Sequence, residues 1–192
     1  MLVLASQSPR RQEVLTRAGI PFLVRPAEVD ESRLEDESPE EHVRRLAREK
    51  VEATAARPGD VVLGADTVVV VDGEVLGKPE DTSDAERMLR KLSGREHVVM
   101  TGVCVRAAGG TVVDVESTVV RFVALSEEEI LDYAASDEPM DKAGAYAIQG
   151  LASKFIDRIE GCYFNVVGLP VAMVYRKLKQ LGVPPEEEWE GR

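Results

Sequence analysis

The stretch from Val61 to Val71, VVLGADTVVVV, is apolar at nearly every position and dominated by valine. Branched Cβ atoms favour pleated backbone, and an apolar run without strict alternation is the pattern of a strand covered on both faces. Such a strand belongs at the middle of a layered α/β domain. Asp72 and Gly73 then form a hairpin signal, with a return strand over Glu74 to Leu76. One residue disturbs the run. Asp66 is a carboxylate in an apolar strand, and burying it is costly unless it is paired or bound to a metal. In a regular strand Asp66 shares a face with Gly64 and Val68, while Thr67 points the other way. Gly64 leaves room beside it for a ligand or for another stretch of backbone. Two readings stand: a structural aspartate that caps a loop or pairs with an arginine, and a carboxylate that does chemistry.

The remaining pattern alternates strands and helices. A short apolar strand over Leu2 to Ala5 leads through Ser6-Gln-Ser8 into a helix from Pro9 to about Ala18, with Ser8 suited to the N-cap and Pro9 to the first helical position. Another strand is predicted around Phe22 to Val24, followed by an acidic, irregular stretch from Glu28 to Glu37. Ser38-Pro39-Glu40-Glu41 reads as a capping box opening a helix to about Ala55. Ser83 to Glu86 reads as the cap of a third helix, with Met88, Leu89 and Leu92 inward. His97 to Val105 and Thr111 to Val123 form a long hairpin about Gly109-Gly110, and Ser126 to Glu129 caps a further helix. Phe155 to Val167 is predicted as two short strands turning near Glu160-Gly161, and Pro170 to Leu181 as the last helix. The class is α/β with a mixed sheet. The chain is read as one domain over residues 1–183, with room for two lobes, and an acidic, frayed tail over 184–192.

The formal net charge of −11 argues against a nucleic-acid polymer or an anionic membrane as partner. A small anionic substrate remains open, provided its site gathers positive charge or recruits a metal. Cys104 and Cys162 are far apart, in apolar surroundings, and read as small core residues. His42 and His97 make no zinc constellation and read as ordinary surface or strand residues. No apolar run is long enough to span a bilayer, and the N-terminus lacks a basic leader region, so a cytoplasmic protein without a signal peptide is expected.

Four places carry chemistry. In the first, Ser6 to Arg11 (SQSPRR), a strand, a tight polar loop and a helix start offer backbone N–H groups and hydroxyls to an anion. Arg10 and Arg11 oppose the helix dipole there, at about 0.3–1 kcal/mol each, a penalty that a bound polyphosphate reverses. Two solvated surface arginines are the plainer account. Asp66 with Thr67 is the second place. The third is a pair of lysines. Lys50 leans toward the buried stripe of its helix, either snorkelling to water or aimed at an anion. Lys78, between Gly77 and Pro79, is a loop lysine or a second phosphate ligand. The fourth is Asp141 to Gly150, where small residues surround Tyr146 and Gln149. The Gln149 amide carries a donor and an acceptor side by side, which matches the edge of uracil or thymine and, flipped, that of cytosine. It equally matches a glutamine that satisfies loop backbone.

Taken together and in this order, these segments resemble the Maf family. The resemblance is carried by Leu4 to Arg11 (LASQSPRR), Gly64 to Thr67 (GADT), Gly77 to Pro79 (GKP), Leu92 to Gly94 (LSG), Glu138 to Gly150 (EPMDKAGAYAIQG) and Gly168 to Pro170 (GLP), and it runs to about Leu181. It implies an elongated, mixed-sheet α/β fold like that of the inosine-triphosphate pyrophosphatases, with a central cleft between two lobes, often assembled as a homodimer. It implies a house-cleaning hydrolase that converts a nucleoside triphosphate to the monophosphate and pyrophosphate with a divalent metal, Mg2+ or Mn2+. The AYAIQG block looks like the branch acting on dTTP and UTP, including some modified pyrimidine nucleotides; a sister branch acting on 7-methyl-GTP lacks that glutamine. By the same similarity Asp66 is the expected proton acceptor. Arg10, Thr67 and Gln149 are the expected specificity positions, and Ser6, Arg11, Glu31, Lys50 and Lys78 belong to the pocket. Glu31 and Asp66 are the expected holders of the metal, Glu31 reading otherwise as part of a solvated acidic run. Two alternatives accompany this assignment: a septum-formation regulator acting by protein contacts, and a 7-methyl-GTP pyrophosphatase.

Overall fold

Why the valine-rich run is buried on both faces is visible in a computed structural model, which describes residues 1–183. Strand β1 (Leu2–Leu4) lies between two parallel neighbours, β2 (Phe22–Val24) and β3 (Val61–Val71). The sheet has seven strands in the order β2-β1-β3-β5-β6-β7, with β4 (Glu74–Leu76) antiparallel on β3. Strands β5 (Glu96–Ala107) and β6 (Gly110–Phe122) form the long hairpin, and β7 (Ile156–Glu160) is antiparallel to β6 with a bulge at Arg121/Phe122. The sheet is mixed and the class is α/β, as the alternation implied. No helix among the described residues is long and apolar enough to cross a membrane. The acidic stretch 184–192 lies outside the described residues.

The chain divides into two compact units. The first comprises Met1–Asp66, Thr101–Glu116 and the chain from Gly168 onward. In it β1 and β2 are joined by α1 (Pro9–Arg17), and β1 and β3 by a connection containing α2 (Pro39–Ala53), which opens on the expected capping box at Ser38 and Glu41. Since β1 is flanked by β2 on one side and β3 on the other, the winding reverses there. Open parallel sheets bind ligands at such a reversal, outside the carboxyl ends of the strands. The core of this unit includes Val3, Ala5, Ala47, Val51, Val62 and Cys104. Two glycines let α2 lie close on the sheet. A Cβ on Gly64 would come within 2.4 Å of the Ala47 carbonyl oxygen, and one on Gly102 within 2.1 Å of the Val43 carbonyl oxygen. Residues 43, 47 and 51 are spaced by four and share one helix face. The space beside Asp66 is therefore occupied by a helix backbone. The unit ends in α6 (Val171–Gln180), after Pro170 at its N-cap.

The second unit comprises Thr67–Met100 and Ser117–Val167. Its core joins Val69, Leu76 and Phe122 of the sheet to Met88, Leu89 and Leu92 of α3 (Thr82–Leu92) and to Tyr133 of α4 (Glu127–Ala134). Three details differ from the sequence expectation. Helix α3 is capped by Asp81 rather than Ser83. The Asp81 carboxylate accepts from the Asp84 N–H at 2.8 Å, so an equally good cap upstream starts the helix earlier. The second of the two strands expected over 155–167 is the short helix α5 (Tyr163–Val167). Gly161 at φ +130° turns the chain out of β7. The fully buried Asn165 amide donates to Val99 O at 2.9 Å and to Thr118 Oγ1 at 3.0 Å, while Thr118 Oγ1 also accepts from the Cys162 N–H. These bonds hold α5 against β5 and β6. Cys162 is also only half-buried, unlike Cys104.

Neither histidine is at the surface. His42 is buried in α2 with its Nδ1 at 2.9 Å from Glu37 Oε2. His97 is buried on β5, edge-on to Phe122 and Tyr146, with Nε2 at 2.8 Å from Tyr146 Oη. Burial pushes His97 down to about 4, because the interior opposes a charged ring. The unfolded chain then binds a proton from about pH 6.5 downward that the folded chain refuses until about pH 4. This contribution is whole above pH 6.5 and is lost as pH falls through that window. Between pH 7 and pH 5 it should remove about 2 kcal/mol of stability. Urea unfolding at the two pH values should show a smaller loss in His97→Gln; an equal loss would show that His97 does not set the acid sensitivity.

Candidate active site

At the carboxyl end of β1, beside the middle of β3, the first unit gathers its charges. Leu4 pairs with Leu63, and the Ala5 N–H donates to Leu63 O at 2.8 Å, so Ser6 follows β1 where Ala65 and Asp66 continue β3. Gly64 and Asp66 share a face of β3, and that face meets α2. Gly64 lies against Ala47 and Val51, and Asp66 meets Lys50 one helical turn on from Ala47. The Lys50 ammonium is buried and stands 2.6 Å from Asp66 Oδ1 and 2.6 Å from Glu31 Oε1. Asp66 is thus paired, as a buried carboxylate must be, and its partner is a lysine rather than an arginine. Lys50 does not snorkel to water; it is held between two carboxylates, of which Glu31 stays half open to solvent.

Glu31 gets there because the acidic stretch is fastened to α2. Arg45 grips Glu37 with Nε on Oε1 at 2.6 Å and Nη2 on Oε2 at 2.9 Å, and the same Nη2 donates to Ser32 O at 3.0 Å. The Arg45 hydrogen bonds lower Glu37 to about 2. The segment carrying Glu31 is therefore anchored at its far end. No sequence period announces the pairing of Glu37 with Arg45.

Arg11 has a different station from Arg10. Its guanidinium is buried and donates to Gly168 O and Ala65 O, each at 2.8 Å, and to Ser6 Oγ at 3.2 Å. It fixes the carbonyl next to Asp66 and ties α1 to β3 and to the segment preceding α6. Burial is the largest influence on Arg11 and lowers its pKa, while the charges of Asp66 and Glu31 oppose that and Arg10 adds to it. Arg10 is half-buried in the first turn of α1. Ser8 occupies the N-cap, but its side chain makes no cap hydrogen bond, and the first turn contains no acidic residue. That end of α1 presents the positive end of the helix dipole, which favours an anion. Ser6 Oγ also accepts from the Ser8 N–H at 3.2 Å and so shapes the loop.

The second unit holds the other candidates. Thr67 follows Asp66 on β3 and is half-buried. Lys78 is exposed in the loop after β4. The neighbouring Gly77 carbonyl accepts from the Gly144 N–H at 2.9 Å, so the lysine loop is tied to the segment leading to Gln149. Gly144 itself lies against Val69, where a Cβ would stand 2.8 Å from Cγ2. Gln149 is exposed in a turn closed by the Gly150 N–H on Ala147 O at 3.1 Å.

Among the described residues no three histidine, cysteine or acidic side chains cluster as a ready-made metal cage. Two carboxylates meeting on one ammonium nevertheless fit Mg2+ or Mn2+, because Mg2+ takes one or two protein carboxylates and completes its shell with water and substrate phosphates.

A buried carboxylate on a lysine, at a sheet reversal beside a helix N-terminus, is the setting in which α/β folds bind anionic ligands. The Maf-like protein family model matches residues 1–181, and the chain belongs to that family. It is 55% identical over 184 residues to a dTTP/UTP pyrophosphatase of Symbiobacterium thermophilum, covering 95% of both chains. It is 52% identical over 183 residues to a dTTP/UTP pyrophosphatase of Koribacter versatilis, again covering 95% of both. The solved Ham1 protein of Staphylococcus aureus is a looser likeness, with a TM-score of 0.45 at 19% identity over 63% of this chain and 71% of that one.

Proposed function

We propose that this chain is a nucleoside triphosphate pyrophosphatase that hydrolyses dTTP and UTP to the monophosphate and pyrophosphate in the cytoplasm, with a divalent metal. The observation that carries the reading is Lys50 held between Glu31 and Asp66 beside the N-terminus of α1. The names of the relatives supply the substrate. A triphosphate carries about four negative charges, and catalysis of its cleavage is mostly positioning and charge stabilisation. Arg10, Arg11, Lys50 and Lys78 supply compensating charge, Arg11 from a position fixed by its own hydrogen bonds. Glu31 and Asp66 would hold Mg2+ or Mn2+, which supplies charge neutralisation and polarises the reacting phosphorus. Water attacks the α-phosphorus, the bond to the β-phosphate oxygen breaks, and pyrophosphate leaves. The water proton goes to Asp66 if that carboxylate acts as the base, and from there to solvent. Thr67 and Gln149 serve selection of the base, Gln149 through its paired donor and acceptor.

The test is a panel of nucleoside triphosphates, including CTP and 7-methyl-GTP, read by monophosphate and pyrophosphate. dTTP and UTP should lead. Chelation with EDTA should lower their turnover by roughly 100-fold, restored by Mg2+ or Mn2+. A lead for 7-methyl-GTP would move the chain to the sister activity. No hydrolysis of any member would leave a protein that acts by contact.

A further inference from the structure

The turn that presents Gln149 is held from outside by a buried tyrosine and a glutamate. Tyr133, on α4, is buried and donates its hydroxyl to Glu138 Oε1 at 2.7 Å. At the exit of the turn, Glu138 Oε2 accepts from the Leu151 N–H at 2.9 Å, and Oε1 is 3.4 Å from the Ala152 N–H. Gly150 makes the approach possible, since a Cβ there would stand 1.9 Å from Glu138 Oε2. Backbone just after Gln149 is therefore pinned to one hydrogen-bonded pair, and the Gly150 N–H on Ala147 O at 3.1 Å closes the turn before it. A carboxylate accepting N–H groups makes stronger bonds than a neutral acceptor. An exposed side chain in a turn held at its exit has its backbone direction set while its own amide stays available.

We propose that Tyr133 and Glu138 form a clasp that fixes how Gln149 faces the base, making both of them positioning residues for nucleotide discrimination. The proposal rests on the reading of Gln149 as the base-selecting amide. It goes beyond that reading by assigning selectivity to two residues that the substrate does not touch. A clasp that merely caps the turn from 151 to 155 would alter stability alone. A positioning clasp alters the ratio of kcat/KM between UTP and its competitors, because a misaligned donor–acceptor pair costs the matched base more than the mismatched one.

The experiment compares Tyr133→Phe, Glu138→Gln and Gln149→Ala, singly and combined, with UTP, CTP and ATP. Tyr133→Phe removes one oxygen and keeps the ring in its packing, so it decides the matter if Glu138→Gln does not fold. Either clasp variant should lower the UTP preference by about tenfold, carried by KM for UTP, with kcat held within about twofold. Added to Gln149→Ala, the clasp variants should change the ratio by less than about twofold, since one device has already been removed. If Gln149→Ala lowers the preference and the clasp variants do not, the clasp is overturned and the reading of Gln149 stands. Equal losses with and without Gln149 also overturn it. A silent Gln149→Ala removes the base-reading role itself, and the clasp with it.

Discussion

Asp66→Asn should lower pyrophosphate release from dTTP or UTP by about 100-fold or more while the protein stays folded. The size follows from the two roles open to this carboxylate, proton acceptor and metal holder, both of which need its negative charge. The fold survives because the change is nearly isosteric and the asparagine oxygen can still accept from Lys50, which keeps its second contact with Glu31 at 2.6 Å. Lys50 is then left with one carboxylate in place of two, a change in charge balance rather than an orphaned ion. Initial rates on saturating nucleotide, with a thermal unfolding curve of the same preparation, check both halves. Near-wild-type turnover would remove Asp66 from the chemistry, whatever the unfolding curve showed.

A second large effect is expected from a residue with no side chain. Gly102→Ala places a methyl group 2.1 Å from Val43 O and 2.4 Å from Val43 C. The obstacle is helix backbone, so no rotamer change relieves it and α2 must lift from the sheet. Overpacking of this kind costs roughly 1–3 kcal/mol. For a chain of this length each kcal/mol is worth about 2–4 °C in Tm, so a drop of roughly 2–12 °C is expected. Activity should fall too, since lifting α2 at Val43 tilts the helix that carries Lys50 to Asp66. A variant with unchanged Tm would show that α2 does not depend on this close seat.

Two features of the site were legible for physical reasons. Lys50 declares itself by helical period and Asp66 by interrupting a buried strand, and both signals are local. What joins them is not local: the lysine is sixteen residues from its carboxylate, and nothing in either segment states the partner's identity. Glu31 is singled out by the family resemblance alone; its own segment shows one acid in an acidic run, because its placement depends on Arg45 gripping Glu37 a helical segment away. Gly64 was noticed as a place of close approach, and Gly102 offered the same signal, a lone glycine in an apolar strand. The helix over Tyr163–Val167 escaped because it is too short for a periodicity to develop, and its sequence is as apolar as a strand. The N-cap of α3 was misplaced by two residues because aspartate and serine cap almost equally well.

Arg11 joins carbonyls at positions 65 and 168, and the first unit takes residues from three separated parts of the chain. A ribosome delivers these parts in order, so the N-terminal half emerges long before the Gly168 carbonyl that Arg11 needs. The first unit then closes only after the second has been delivered, and the interposed second unit has the earlier opportunity to fold. Dividing the gene at any single point would separate pieces of the first unit, whereas a cut before Thr67 or after Val167 leaves the second unit whole.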